Sequence, residues 1–499
     1  MSKSRNWLAA FLLAGSLRAA VKLPALISDH MVLQQGVPVR IWGSADPGET
    51  VRVEFQGQTI TGKAADSGKW AVWLRPLSAA GPLEMNINGA VIKDVLVGEV
   101  WLGSGQSNME FALNQAVNHD EEIAHADYPL IHFFAVKRIV ADQPADDVVG
   151  TWQVCTPQNA ARFSAVEYFF GRALHDHLHV PMGLIESYWG GTPAQSWTSA
   201  PALQSDAALK YVADEWDRAL ANYPAAKERY DQQVATWEKT ATEARAAGKT
   251  PPNRPGAPQG PGHPNTPAGL YNGMIAPLTP YIIRGVIWYQ GESNASEAHA
   301  WRYRRLFSDM IQDWRKQWGE GDFPFLFVQL ANYKSNVYWP VLRESQTETL
   351  SLRNTGMAVT IDVGESRDIH PKNKQDVGLR LALAARHIAY HDSAVEYSGP
   401  VYRQITPESG ALRVWFSHAD GMQAKAGATL TGFTIAGADG KFVPAEAKID
   451  GATIVVSSPD VASPVAVRYA WADDPVCNLI NQAGLPAGPF RSDEPAYAQ

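Results

Sequence analysis

Three segments of the chain combine glycine with polar side chains in a way that suits a nucleophilic site. The first is GSGQSN, residues 103–108, which follows an apolar run and places Ser107 in a tight turn before a predicted helix. Such a turn exposes a serine hydroxyl at the end of a strand and aims backbone N–H groups at a developing oxyanion. A serine beside glycine is also an ordinary helix N-cap, so this segment alone does not identify a nucleophile.

The other two segments are ESYWGGTPAQSW (186–197) and VIWYQGESNA (286–295), and each places glycine and amide side chains directly after an apolar run. Taken singly, each is equally well explained as a plain turn between a strand and a helix. The carboxyl ends of parallel strands meet at one edge of a sheet, so the three turns are expected to surround one crevice. Together they favour a functional site.

A fourth segment, DVGESRDIHPKNKQDVGLRLA (362–382), supplies a candidate base. It contains His370, and an imidazole with an unperturbed pKa of about 6.5 is deprotonated at neutral pH, as a base must be. Asp368 lies two positions earlier, and a carboxylate can hold the imidazole tautomer and stabilise the imidazolium formed during attack. In isolation, a capping aspartate and a surface histidine explain the same pattern.

The composition bounds the kind of protein to which these segments belong. The chain has 499 residues, 45% apolar and 19% charged, which is enough for about two to four folding units with real cores. Its 43 basic and 51 acidic residues give a formal net charge of −8 with no basic block, which argues against nucleic acid as a partner. Aromatic rings commonly form the walls on which sugars rest, so 17 Trp and 17 Tyr residues slightly favour a carbohydrate ligand.

The first 20 residues have the pattern of a secretory signal peptide. Lys3 and Arg5 precede an apolar run from Trp7 to Leu17 that contains small residues for cleavage. This pattern predicts a secreted or periplasmic protein; the alternative is an interfacial or buried helix. No later stretch reaches about 18 uninterrupted apolar residues, so no membrane span is expected.

The rest of the chain divides into parts of different texture. Residues 21–97 alternate between apolar and polar side chains with frequent turns, which predicts an N-terminal antiparallel β-sandwich or meander. In residues 98–393 apolar strands alternate with helical stretches, which predicts an α/β core with a parallel sheet covered by helices. An insertion at about 201–268, interpreted as a helical hairpin and a Pro-rich loop, interrupts this core. Residues 394–499 return to β alternation and predict a C-terminal β domain.

Neither the cysteines nor a histidine-rich tract predicts a metal site. Cys155 and Cys477 are the only thiols, which excludes a Cys-rich zinc site and leaves open whether they form one disulfide or two buried free thiols. In HDHLH, His175, His177 and His179 resemble a metal tract, but no cysteine lies near and a solvated helix end explains them better. No metal or cofactor is expected.

Seven segments, in order, resemble the sialate O-acetylesterase family of SGNH-type carbohydrate esterases over nearly the whole mature chain. They are LISDHMVLQQ, GSGQSNME, YWGGTPAQSW, PAGLYNGMIAPL, VIWYQGESN, DIHPKNKQDVG and VCNLINQAGLPAGPFRSD. The resemblance implies an SGNH-hydrolase core, a three-layer α/β/α sandwich, with β-rich units at both ends. It also implies a serine esterase that removes acetyl groups from an acetylated mono-, oligo- or polysaccharide without a cofactor.

By the same resemblance, Ser107 is the nucleophile and His370 is the base. The backbone N–H groups of Ser107 and Gly191, with a side-chain amide from Gln290 or Asn294, would form the oxyanion hole. These donors would stabilise the negative charge that develops when the hydroxyl attacks an ester carbonyl.

One departure from the family pattern leaves the acid open. SGNH enzymes usually carry it three residues before the histidine, where this chain has Arg367. Asp368 is the available substitute. The alternative is a Ser107–His370 dyad in which a backbone carbonyl orients the imidazole.

The sequence alone also leaves rival functions. The same framework could act on acetylated plant polysaccharide, such as xylan or xyloglucan, in place of sialic acid. A sialate site should offer Arg or Lys to the sugar carboxylate, and Arg302, Arg304 and Arg343 are candidates that the sequence does not place at the crevice. A non-catalytic carbohydrate-binding protein is the other rival, against which the intact Ser107 and His370 argue.

Overall fold

The computed structural model describes residues 21–335 and 338–494. The predicted signal peptide, residues 1–20, lies outside the described residues. The strands of the N-terminal region are β1 (Val32–Gln34), β2 (Val39–Ser44), β3 (Thr50–Phe55), β4 (Gln58–Lys63), β5 (Lys69–Leu74), β6 (Ala80–Ile87) and β7 (Ala90–Gly105).

The N-terminal strands bury alternate side chains, as their period-2 pattern predicts. In β3 and β5 every second residue is buried, which is typical of strands with one face on a core. Strand β3 pairs antiparallel with β4 and β6, and β2 pairs antiparallel with β5. The exception is β1, which pairs parallel with β7.

Strand β7 crosses the predicted boundary between residues 97 and 98. Its first part pairs with β6 and β1, and its second part pairs with strands of the central sheet. All residues from 95 to 105 are buried, because this part of the strand is covered on both faces. The N-terminal region and the core therefore share a strand and are not joined by a linker.

Further strands complete the central sheet with β7: β8 (Tyr128–Ala135), β9 (Trp152–Cys155), β10 (Met182–Tyr188), β11 (Gly285–Tyr289), β12 (Phe325–Val328) and β13 (Thr355–Ala358). Their order is β13-β12-β11-β7-β10-β8-β9. Neighbouring strands run parallel except at one edge, where β9 is antiparallel to β8. The predicted parallel sheet is confirmed.

The helices are α1 (Ser107–Glu110), α2 (His119–Ala124), α3 (Pro157–Ala160), α4 (Ala165–Leu178), α5 (Ala200–Ser205), α6 (Lys210–Ala246), α7 (Tyr303–Trp318), α8 (Trp339–Glu348) and α9 (Gln375–Ile388). On one face of the sheet, α4 and α9 pack together, and Phe170 of α4 meets Trp101 of β7 edge-on with ring centroids 5.0 Å apart. On the other face, Phe307 of α7 stacks on Trp288 of β11. This arrangement confirms the predicted α/β/α layers.

The predicted helical hairpin in the insertion is wrong, because α6 is one continuous helix of 37 residues. Pro224 lies inside α6 and removes the N–H that would bond the Leu220 carbonyl. Both residues are exposed, so water can satisfy that carbonyl and the helix continues. The proline-rich chain that follows packs along α6, where Trp237 donates its indole N–H to the Pro252 carbonyl over 2.8 Å.

The strands of the C-terminal region are β14 (Val401–Glu408), β15 (Ala411–Ser417), β16 (Gln423–Ala424), β17 (Phe433–Ala436), β18 (Val443–Pro444), β19 (Glu446–Asp450), β20 (Thr453–Ser457), β21 (Ala466–Tyr469), β22 (Leu479–Ile480) and β23 (Phe490–Arg491). They form separate antiparallel sheets, as the alternation in this region predicts. No helix within the described ranges is both long and apolar enough to cross a membrane.

Arg343 of α8 ties the core to the C-terminal region. Its guanidinium is fully buried and donates to the carbonyls of Ala472 and Asp473 over 2.8 and 2.9 Å. It is therefore a structural residue and not a candidate for binding a sugar carboxylate.

The two cysteines are both free thiols, which settles the alternative left open by the sequence. Cys155 is buried and Cys477 is half-buried. Burial raises the pKa of Cys155 to about 12 and that of Cys477 to about 11. Both thiols are therefore protonated at neutral pH and react poorly.

Gly98, at the crossing point in β7, provides a test of this packing. A Cβ at this position would lie 1.9 Å from the Pro181 carbonyl oxygen. We expect Gly98→Ala to lower the free energy of unfolding by about 1 to 3 kcal/mol, because the backbone must shift to admit the methyl group. Gly256→Ala is the control, since no atom lies within 4 Å of its Cβ position. Equal denaturant midpoints for the two variants would contradict the described contact.

Candidate active site

Ser107 follows the strand of the parallel sheet at which the strand order reverses direction. Strand β7 ends at Gly105, with β10, β8 and β9 on one side of it and β11, β12 and β13 on the other. Connections that leave in opposite directions open a crevice at the carboxyl ends of the strands. This is the place where the three glycine-containing turns were expected to meet.

Gly105 makes the turn before Ser107 tight. Its φ of 135° is one that side chains rarely adopt, and a Cβ there would lie 2.2 Å from the Tyr289 carbonyl oxygen. The following N–H, of Gln106, donates to the same carbonyl over 3.0 Å. Ser107 is therefore the first residue of α1, and it lines the crevice.

His370 reaches Ser107 from the loop between β13 and α9. Its Nε2 lies 2.8 Å from Ser107 Oγ, so a neutral imidazole with its proton on Nδ1 can accept the serine hydroxyl hydrogen. The Glu365 carboxylate accepts the Lys372 N–H over 3.0 Å and holds this loop. The structure thus brings together the two residues that separate motifs proposed as nucleophile and base.

Asp368 lies near His370 without hydrogen bonding to its ring. Its Oδ1 accepts the backbone N–H of His370 over 2.9 Å and is 3.8 Å from Nδ1, which is too long for a hydrogen bond. In the described part of the chain, no backbone carbonyl is hydrogen-bonded to Nδ1 either. Asp368 as a third catalytic residue therefore stays a prediction.

The pKa of His370 is lowered from its ordinary value of 6.5. Partial burial is the main cause, and repulsion from the Lys374 ammonium is the second. The carboxylates of Asp368 and Glu110 act in the opposite direction and are outweighed. The ring is therefore neutral at pH 7 and able to act as a base.

The Gly190–Gly191 turn after β10 abuts Ser107. A Cβ on Gly190 would lie 3.2 Å from Ser107 Cβ, and the Gly190 N–H donates to Glu110 Oε2 over 2.8 Å. Gly191 has a φ of 76° and is exposed. Among the described residues, neither the Ser107 nor the Gly191 N–H has a hydrogen-bond partner, so both are free to serve as the predicted oxyanion donors.

The third predicted oxyanion donor, Gln290 or Asn294, needs correction for Gln290. Gln290 is fully buried and uses both amide hydrogens, one on the Thr192 carbonyl at 3.2 Å and one on Asn294 Oδ1 at 2.8 Å. It holds the turns together and does not donate into the crevice. Asn294 Nδ2 donates to Gln195 Oε1 over 3.0 Å, which leaves it one N–H.

Sequence reasoning missed the residues that join the serine turn to the histidine loop. Asn108 Nδ2 donates to the Ile369 carbonyl over 2.9 Å and to Glu292 Oε1 over 2.6 Å, while its Oδ1 accepts Lys374 Nζ over 2.6 Å. The sequence contains a signal for these residues. Asn108 and Glu292 lie within three positions of a predicted site residue, and Lys374 lies in the same motif as His370.

Ser107 and His370 open onto a crevice of about 1000 Å³. Charged side chains line it: Glu110, Lys137, Arg138, Arg162, Glu186, Asp368 and Lys372. Arg138 is paired with Glu110, and burial raises the pKa of Glu186 to about 7, so this carboxyl carries only part of its charge at neutral pH. These charged side chains form the rim of the crevice. At neutral pH the rim therefore carries more net positive charge than a simple count of its acidic and basic residues suggests.

The HDHLH tract forms the end of α4, as the helix-end interpretation predicts. His179 caps the helix with a φ of 55°, and His175 Nδ1 lies 2.8 Å from the Val180 carbonyl oxygen. No cluster of His, Cys, Asp and Glu side chains within the described ranges could hold a metal ion.

Comparisons with known proteins find likeness over nearly the whole chain. A family model described as carbohydrate esterase, sialic acid-specific acetylesterase, matches residues 263–388. The chain is 30% identical to the sialate O-acetylesterase of Mus musculus over 94% of each chain, and 30% identical to that of Homo sapiens over 94% of this chain and 92% of the relative. A carbohydrate acetylesterase from Xanthomonas citri has a similar structure, with a TM-score of 0.81, 39% identity, and coverage of 95% of this chain and 100% of that one.

The lowered pKa of His370 sets the acid limit of the activity expected at this site. Because the imidazole must be neutral to accept the Ser107 proton, kcat/KM should rise with pH through an apparent pKa below 6.5. Initial rates of p-nitrophenyl acetate hydrolysis from about pH 4.5 to about pH 8 measure this limb. An apparent pKa above 6.5 would contradict the described surroundings of the ring.

Asp368→Asn tests how the carboxylate acts on His370. At 3.8 Å it acts through its charge, so we expect a loss of about tenfold in kcat/KM. A loss of about 10⁴-fold, like that caused by Asp→Asn in the catalytic triad of serine proteases, would show that the carboxylate hydrogen-bonds to Nδ1 during the reaction. Asp66→Asn, which alters an exposed carboxylate of the N-terminal region, is the control and should retain the wild-type rate.

Proposed function

The chain belongs to the sialate O-acetylesterase family and is a carbohydrate O-acetylesterase, and we propose that it works through an acetyl-enzyme intermediate on Ser107. The observation that carries this proposal is the 2.8 Å contact between Ser107 Oγ and His370 Nε2 at the edge of an open crevice. A serine hydroxyl is a weak nucleophile until an adjacent base accepts its proton. The contact supplies that base.

In the first half of the reaction, Ser107 Oγ attacks the acetyl carbonyl carbon while His370 Nε2 takes the hydroxyl proton. The carbonyl oxygen becomes an oxyanion, for which the N–H groups of Ser107 and Gly191 are the proposed donors. The bond from carbon to the sugar oxygen then breaks. The imidazolium gives its proton to that oxygen, and the sugar leaves as an alcohol.

In the second half, a water molecule attacks the acetyl group on Ser107. His370 takes a proton from this water, and a second oxyanion forms at the same position. The bond to Ser107 Oγ breaks, the serine regains its proton from the imidazolium, and acetic acid leaves and ionises to acetate by giving its proton to solvent. Each residue ends in its starting protonation state.

The charges on the rim bear on the sugar that is recognised. Lys137, Arg162 and Lys372 are exposed, line the crevice and form no ion pair with the described residues. Cations of this kind can bind a carboxylate on the sugar. They support an acidic sugar such as O-acetylated sialic acid over a neutral xylan or xyloglucan, which is the alternative substrate. Arg302 and Arg304, the earlier candidates, do not line the crevice.

We further propose that the protein acts outside the cytoplasm, in a secreted or periplasmic location. This part of the proposal rests on the basic and apolar pattern of residues 1–20.

Side-by-side measurement of acetate release tests the proposed substrate. We expect a higher kcat/KM on O-acetylated sialic acid than on acetylated xylan or xyloglucan, because the cationic rim attracts the sugar carboxylate. Arg162→Gln should raise KM for the sialic acid and leave p-nitrophenyl acetate hydrolysis unchanged. A higher kcat/KM on the neutral polysaccharides would contradict sialic acid as the substrate but would not contradict the acetylesterase activity.

Ser107→Ala is the negative control in every arm of this experiment. It should lower kcat on each substrate by on the order of 10⁴-fold or more, because the nucleophile is lost. Ser205→Ala, which removes a hydroxyl on α5, should leave the rates unchanged. A folded Ser107→Ala protein that retains more than about a tenth of the activity would contradict the serine mechanism.

A further inference from the structure

Beneath the serine turn lies a cluster of polar side chains, Asn108, Lys374 and Glu292, that does not face the crevice. Asn108 follows the nucleophile, Lys374 is the N-cap residue of α9 four residues after the base, and Glu292 follows β11. Lys374 Nζ donates to Asn108 Oδ1 over 2.6 Å, and Asn108 Nδ2 donates to Glu292 Oε1 over 2.6 Å. The cluster thus joins three of the motifs that surround the site.

Asn108 also connects this cluster directly to the histidine loop. Its Nδ2 donates to the carbonyl of Ile369 over 2.9 Å, and Ile369 precedes the base. Both hydrogens of the Asn108 amide and its oxygen are therefore used. The bond to Ile369 fixes the residue next to Ser107 against the residue next to His370, and the other two bonds hold the Asn108 amide in place.

Lys374 is buried at a cost in free energy, which indicates that the residue has a specific role. Its side chain is fully buried, and its ammonium lies 4.8 Å from the Phe111 ring centroid and 5.2 Å from that of Tyr289. Asn108 is 2% exposed, and Glu292 Oε2 is buried without a hydrogen-bond partner among the described residues. Burying a charged lysine costs free energy that methionine of similar length would not require.

We propose that Lys374 is a positioning residue, which holds Ser107 and His370 in reacting geometry by fixing the amide of Asn108. It touches neither the substrate nor the crevice and acts through Asn108 on both loops. This inference rests on the proposed serine mechanism. A misplacement of about 1 Å between reacting groups can cost about 10²-fold in rate, so a buried anchor at this point has a large effect on kcat.

The ammonium of Lys374 also acts on His370 through its charge. The charged groups that face His370 are Lys374, which lowers the pKa of the imidazole, and Asp368 and Glu110, which raise it. Burial lowers the pKa of Lys374 itself to about 7, against the carboxylates of Glu292, Asp368 and Glu365. His370 titrates below 6.5, where Lys374 is still mainly protonated. Removing this cation therefore raises the pKa of His370.

Lys374→Met keeps the length of the side chain and removes its donor and its charge. We expect kcat for p-nitrophenyl acetate to fall about tenfold or more while KM stays within about twofold, because the residue does not touch the substrate. The acid limb of kcat/KM should move to higher pH. A loss confined to KM would overturn the proposal.

Two more variants separate positioning from simple charge balance for Glu292. Glu292→Gln retains the oxygen that accepts from Asn108 and leaves the Lys374–Asn108 bond in place, so its kcat should stay within about threefold of wild type. Lys374→Met/Glu292→Gln removes both charges and should remain as slow as Lys374→Met. A double variant with the wild-type kcat would overturn the proposal, because Lys374 would then serve only as a counter-ion. The double variant also decides the question if the single one does not fold.

An NMR titration of the His370 imidazole supplies a readout that does not require activity. The signal is assigned by its loss in His370→Gln, and its pKa should be higher in Lys374→Met than in wild type. An unchanged pKa together with an unchanged kcat would overturn the positioning role. If wild type fails to hydrolyse acetyl esters while the imidazole pKa still shifts, the proposed function fails and the placement of Lys374 beside the imidazole stands.

Discussion

The hydrogen bond between Ser107 Oγ and His370 Nε2 is the contact on which the site depends, and it joins residues 263 positions apart in the chain. A bond of 2.8 Å between two side chains on different loops requires both backbones to be fixed. Gly105 fixes the serine turn against the Tyr289 carbonyl, and Asn108 bonds the neighbour of the serine to the neighbour of the histidine. The hydroxyl becomes a useful nucleophile only when this geometry is kept.

The fold supplies this rigidity by placing the serine turn at the end of β7, whose last 11 residues are all buried. Strand β7 lies at the centre of the parallel sheet and also pairs with the N-terminal region, so movement at its carboxyl end would disturb both units. The histidine loop has less regular structure and relies on side chains. Glu365 holds it from one side, and the Asn108–Lys374 bond holds it from the other. The buried ammonium of Lys374 is tolerated near His370 because it donates a hydrogen bond to Asn108.

The sequence predicted the parts of this structure that follow from residue type and local pattern. The parallel core, the serine turn and the histidine loop carry strong periodicity and turn chemistry, and they were predicted correctly as elements. The role of Gln290 was not predictable, because its amide hydrogens are spent on Thr192 and Asn294, contacts that only the packed turns create. The continuity of α6 through Pro224 depends on solvent exposure of the Leu220 carbonyl, and the sequence does not show that exposure. The sharing of β7 between two units required strand pairing across distant segments.

Covalent labelling with a fluorophosphonate tests the nucleophilic role of Ser107, because this reagent phosphonylates a serine whose proton is taken by an adjacent base. We expect a single phosphonyl group on the tryptic peptide that contains Ser107, found by mass spectrometry, with loss of esterase activity in proportion to labelling. We also expect His370→Gln to abolish labelling in a protein that remains folded. Labelling of another serine, or full esterase activity in a protein that carries the group on Ser107, would show that Ser107 is not the nucleophile.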